Sequence, residues 1–86
     1  MSTAISGRFV SVDGTPIYRD TVEFRKADHT YVVKRSFPDA TERTITVEIK
    51  AAMLPRYTGS FAWRTTVEIV LENVRPTLDR LMAVSE

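Results

Sequence analysis

Side chains able to do chemistry are few in this chain, and they are scattered. His29 is the single histidine. One imidazole with no cysteine or second histidine cannot hold zinc, which takes three or four protein ligands. A polar, solvated turn is the plainer role for it. Ser2, Ser6, Ser11, Ser36, Ser60 and Ser85 have no neighbouring histidine and acid to raise their nucleophilicity. Three glycines spread along the chain make no phosphate-cradling loop. Glu48 and Glu68 could pair as acid and base if a sheet set them side by side. Alternating charge on a wet sheet face accounts for them more simply. No enzyme is expected from this inventory, and no metal or cofactor.

A binding surface is the stronger candidate. Lys34, Ser36, Thr44, Thr46, Glu48, Lys50, Arg64, Thr66 and Glu68 fall on alternate positions of segments that read as strands. Together they predict a flat polar face of short hydroxyls and single charges. Hydroxyls and lysines reach phosphate oxygens, and small side chains leave room for splayed bases, so such a face suits RNA. A solvated sheet looks similar. Trp63 and Tyr57 are candidates for stacking on bases or for packing under a loop.

The elements that must position this face are read from periodicity. Strands are predicted over Ile5–Val12, Ile17–Arg25, Tyr31–Phe37, Arg43–Lys50 and Ala62–Glu72. Asp13-Gly14 marks a tight hairpin and Pro38-Asp39-Ala40 a turn. In the fourth strand Ile45, Val47 and Ile49 alternate with Thr44, Thr46, Glu48 and Lys50, which gives one dry and one wet face. Pro55 and Gly59 make residues 51–61 a loop with short extended pieces. In the fifth strand Val67, Ile69 and Leu71 point to the dry face, with Thr66, Glu68 and Val70 opposite. Asn73 reads as a helix N-cap, with Pro76 in the first turn. Val74, Leu78, Leu81 and Met82 then form one helical stripe, core or interface in character. A helix of about ten residues cannot stand alone in water and must dock.

The fold expected is therefore α+β: an antiparallel β-sheet, N-terminal hairpin plus meander, with one C-terminal helix on the sheet or on a dimer partner. Residues 1–86 form one domain, with the hairpin in 1–25, the sheet in 30–72 and the helix in 73–84. Eighty-six residues bury only about 60–65% of the unfolded chain's surface, so help from a second subunit is expected. Twelve basic and eleven acidic residues give a net charge of +1, which excludes a strongly cationic nucleic-acid arm but not a local basic face. The absence of cysteine, of a signal-peptide layout and of any run of about 20 apolar residues predicts a cytoplasmic origin and no membrane partner.

The stretch Thr44-Ile45-Thr46-Val47-Glu48-Ile49-Lys50, a Pro-containing loop, Ala62-Trp63-Arg64, and Thr66-Val67-Glu68-Ile69-Val70-Leu71 before a helix resembles the coat proteins of single-stranded RNA bacteriophages. Tyr31-Val32-Val33-Lys34-Arg35-Ser36 matches the preceding strand, so the likeness covers residues 30–83. The chain is shorter than is usual in that family and has no second helix. The resemblance implies a structural protein of the virion, made in the bacterial cytoplasm, that dimerises into a continuous sheet and self-assembles into a shell. It implies genomic RNA on the inner face, adding Val32 and Val70 to the contacts above. It places Val74, Leu78, Leu81 and Met82 against the partner subunit and the 51–61 loop at the symmetry axes. The alternative is a small protein-binding module or inhibitor that docks through a sheet edge or the C-terminal helix.

Overall fold

The computed structural model describes residues 5–10, 18–37 and 43–84, the first of these stretches as backbone only. Four strands form one antiparallel sheet in sequence order: β1 (Ile5–Val10), β2 (Tyr18–Arg25), β3 (Thr30–Ser36) and β4 (Thr44–Lys50). One helix, α1 (Trp63–Val84), follows. The fold is α+β, a meander with a single C-terminal helix. The Asp13-Gly14 hairpin turn and the Pro38–Ala40 turn lie outside the described residues.

Register fixes which side chains share a face. Val22 pairs with Val33 and Val33 with Val47, while Phe24, Tyr31 and Ile49 line up one step along. These residues form the side that α1 covers. Val22, Tyr31 and Val33 are buried with Leu54 and the helix residues Val67, Val70, Leu71, Val74 and Leu78. Ile45, Val47 and Ile49 pack against this core but stay half-buried, because β4 is the last strand of the sheet.

The fifth strand expected over 62–72 is not present: that segment is the first half of α1. The helix runs 22 residues, twice the expected length. The physical reason is the spacing of the apolar residues. Val67, Val70, Leu71, Val74 and Leu78 recur every three or four positions, and all are buried on one side. Arg64, Glu68 and Glu72 recur every four positions and are exposed. In a strand Val70 would have faced water; in the helix it is fully buried. The β-branched run Thr65-Thr66-Val67 lowers intrinsic helix propensity only slightly, and docking on the sheet overrides it.

Asn73 consequently sits mid-helix and is not a cap. Its Nδ2 donates to the Ile69 carbonyl one turn back at 2.8 Å. Pro76 is also interior, where its missing N–H leaves the Glu72 carbonyl without its ordinary partner. Both residues are exposed, so water can satisfy the freed carbonyl. The helix start carries no Ser, Thr, Asp or Asn at its boundary, Ala62 preceding Trp63. It is secured instead by Thr66, whose hydroxyl donates to the Thr58 carbonyl at 3.0 Å.

The 51–61 segment holds two 3-10 turns, Ala51–Met53 and Thr58–Ser60, with extended backbone at Leu54, Tyr57 and Phe61. A third such turn, Lys26–Asp28, joins β2 to β3 and ends at His29 in the left-handed region, φ 53°.

Candidate nucleic-acid interface

The sheet face opposite α1 is polar. Cross-strand pairs on it are Thr21 with Lys34, Lys34 with Thr46, Ser36 with Thr44, and Thr30 with Lys50. Lys34, Thr44, Thr46, Glu48 and Lys50 are exposed and Ser36 is half-buried. These six expected contacts therefore lie together. The other five do not join them as expected. Val32 belongs to the same face but is only 8% exposed, too covered to touch a ligand. Arg64, Thr66, Glu68 and Val70 belong to the helix. Thr66 and Val70 are buried in the core, while Arg64 and Glu68 face solvent on α1. A Glu48–Glu68 carboxylate pair on neighbouring strands is excluded with them.

An ion-pair bridge crosses the face beside Val32. Arg25 of β2 reaches across β3 to Glu48 of β4, its Nη2 donating to Oε1 at 2.9 Å and Nη1 to Oε2 at 3.2 Å. The same guanidinium forks onto Asp28, both bonds 2.9 Å. The bridge spans β3 where Thr30 and Val32 lie, the two buried positions of an otherwise wet face. Hydrogen bonding to Arg25 holds the Asp28 carboxyl below its usual range, and the bonds to Asp28 and then Glu48 hold Arg25 above arginine's. All three side chains are well exposed, so solvent screens the interaction strongly.

The β2 contribution to this face, Arg19, Thr21, Glu23 and Arg25, was missed in the sequence. Alternation exists there, but Asp20 stands on the dry side and breaks its hydrophobic pattern. With β2 included, the described residues put four cations here, Arg19, Arg25, Lys34 and Lys50, against three carboxylates, Glu23, Glu48 and the Asp28 that bonds Arg25. The described face is therefore only slightly basic, in keeping with the chain's net charge of +1.

The dry face hides a charged cluster that alternation also disguised. Arg35 and Asp20 are both fully buried. Arg35 Nε donates to Asp20 Oδ1 at 2.7 Å and Nη2 to Oδ2 at 2.9 Å, a bidentate pair. Arg35 Nη1 also donates to Asp79 at 2.7 Å, and Arg75 Nε to Asp20 at 3.2 Å, so two helix residues close the network. The Arg35 guanidinium lies 3.9 Å from the Tyr18 ring centroid. Burial works against its charge, but the hydrogen bonds to Asp20 and Asp79 outweigh that and hold its pKa above arginine's ordinary value. The cluster pins the second half of α1 to β2 and β3.

The helix stripe expected at a subunit interface is divided by the fold. Val74 and Leu78 are buried within their own chain, against their own sheet. Met82 is half-buried, its sulfur 3.9 Å from Arg35 Nη1. Leu81 is 40% exposed. Trp63 is half-buried and stacked on Tyr31, ring centroids 6.5 Å apart, whereas Tyr57 is 77% exposed.

Among the described residues no group of three or more histidine, aspartate or glutamate side chains is arranged to hold a metal ion. None of the described helices is long and apolar enough to cross a membrane. No protein-family model, curated protein or solved structure matches the chain.

Proposed function

We propose that this chain is a structural subunit that pairs with a second copy of itself and binds single-stranded RNA on its polar sheet face, as a viral coat protein does. The observation that carries the reading is the uncovered face of β2, β3 and β4. Lys34, Thr44, Thr46 and Lys50 stand exposed there while α1 occupies the other side. Cations contact phosphates, hydroxyls add neutral donors, and the flat pleat leaves space for bases. The coat-protein resemblance rests now on Tyr31–Ser36, Thr44–Lys50 and the C-terminal helix, since 62–72 is helical.

Self-pairing is supported by β4 and not by the helix stripe. Edge strands invite a further strand. The sequence of β4 is close to symmetric about Val47. In an antiparallel pair of copies Ile45 would face Ile49, Thr46 would face Glu48 and Thr44 would face Lys50, with no like charges opposed. The added strand would cover the half-buried Ile45, Val47 and Ile49. A second reading is favoured by the apolar side chains of the 51–61 loop. Met53 at 73% exposure and Phe61 at 42% suit docking on another protein.

Titration of a labelled single-stranded RNA, followed by anisotropy at several salt concentrations, separates the readings. Binding by the intact chain should weaken as salt rises. Lys34→Ala and Lys50→Ala should each flatten the slope of log affinity against log salt by about 0.7, one phosphate contact of a single strand. Arg64→Ala, on the helix, should change neither slope nor affinity. Equal loss in all three variants, or none in Lys34→Ala and Lys50→Ala, places the RNA elsewhere. No RNA binding by the intact chain favours the protein-docking reading.

A further inference from the structure

A cleft of about 410 Å³ opens at one end of the sheet, between the β2–β3 connection and the 51–61 loop. Half of its lining residues are aromatic, Phe24, His29, Tyr31 and Tyr57, and the rest are small. Volume and lining fall within the range of small-ligand sites, which are apolar with a few placed polar groups. Several contacts fix its shape before anything binds. The His29 carbonyl accepts the Ala51 N–H at 2.9 Å, tying the turn to the loop. The Tyr31 and Thr58 hydroxyls hydrogen-bond each other at 2.8 Å in a buried position. Tyr57 lies directly on Gly59, where a Cβ would sit 2.7 Å from the ring's Cζ and hydroxyl oxygen.

Two features point to an occupant. His29 stands on the cleft wall, in the left-handed conformation that closes the Lys26–Asp28 turn. Its imidazole brings a ring N–H donor and a nitrogen acceptor to an otherwise apolar lining. Among the described residues no carboxylate, lysine or arginine lines the cleft, so a charged group entering it would be desolvated without a counter-ion. The lining suits a neutral planar ring that bears donors and acceptors on its edge.

Position supplies the rest. Phe24 and Ala51 line the cleft, and their chain neighbours Arg25 and Lys50 lie on the polar face. The two surfaces therefore meet at this end of the sheet. Arg25 and Lys50 stand at this junction, Arg25 in ion pairs with Asp28 and Glu48. A strand whose phosphates follow these cations can turn one base over the sheet end.

We propose that the cleft captures an unstacked nucleobase of the RNA held on the polar face, with Tyr57 as the stacking platform and His29 reading the base edge. This rests on the RNA-binding reading, but a mononucleotide tests it separately. Trp63, the single tryptophan, is stacked on the cleft residue Tyr31 and reports occupancy by its fluorescence. Titration of the full chain with adenosine or uridine monophosphate should give a saturable change in emission. Tyr57→Ala, at an exposed side chain, should keep the fold and weaken binding at least about five-fold, the lower end of what one base–aromatic stack contributes. His29→Gly keeps the left-handed turn, which glycine adopts freely, and should weaken binding through loss of the imidazole. Lys34→Ala should leave mononucleotide binding unchanged. RNA binding that depends on Lys34, with no mononucleotide response and no effect of Tyr57→Ala, would overturn the cleft assignment and leave the polar face standing. Neither RNA nor mononucleotide binding would overturn both. Saturation by tetramethylammonium but not by nucleotide would make the cleft a cation cage and overturn the base assignment.

Discussion

Asp20→Asn is expected to lower folding stability by about 3–5 kcal/mol, the cost of stranding a buried charge. Asparagine matches aspartate in shape but cannot neutralise Arg35, which has no exposed surface. The bidentate pair and the Arg75 contact both end on this carboxylate. Asp79 remains as a partner, but its side chain is 59% exposed and its attraction is screened. For a domain whose total stability lies in the range of about 5–15 kcal/mol, such a loss leaves a substantial unfolded fraction. Urea unfolding at neutral pH measures it. Asp79→Asn should cost far less. A joint Asp20→Leu, Arg35→Met replacement should also cost less than Asp20→Asn alone, because it removes both desolvated charges. A loss below about 1 kcal/mol for Asp20→Asn would mean that water reaches the pair.

Val70→Asp is expected to abolish cooperative folding. Val70 has no exposed surface and packs with Val22, Val33 and Leu78. The substitution forfeits about 1.5–3 kcal/mol of apolar burial and brings a carboxyl into a site with nothing to pair it. The exposed neighbour Glu68 provides the contrast, and Glu68→Ala should change stability by no more than about 0.5 kcal/mol. Circular dichroism during urea titration reads both. The pair also decides between helix and strand. If 66–71 were a strand with Val70 and Glu68 on one wet face, the two substitutions would be similarly mild.

The sheet was legible where alternation is clean and the helix where its stripe is long. In β4 every second residue is apolar, and the strand lies where the pattern puts it. At 62–72 two periods compete. Val67, Ile69 and Leu71 alternate as in a strand, while Val67, Val70, Leu71 and Val74 recur as in a helix. The intruding Val70, and the continuation of the helical stripe into Leu78, were the signals that favoured helix. Two features hid them. Asn73 and Pro76 resemble a helix start, and the true start at Trp63 has no capping residue. The candidate site was legible for Lys34, Ser36, Thr44, Thr46, Glu48 and Lys50 because β3 and β4 pair in register. Arg19 and Arg25 were hidden because Asp20 and Arg35 place charge on the dry side, each satisfied by the other. The cleft was beyond pattern reading. It depends on a left-handed histidine and on a tyrosine seated on a glycine, neither of which has a periodicity.

In the proposed function the β4 edge pairs two copies and the polar face carries nucleic acid. Size-exclusion chromatography with light scattering, and the ratio of absorbance at 260 to that at 280 nm across the peak, tests it most directly. Particles of twice the 9.8 kDa chain mass or larger, with an absorbance ratio raised by bound RNA, are the expected result. A single peak at the mass of one chain with the ratio of protein alone would contradict it.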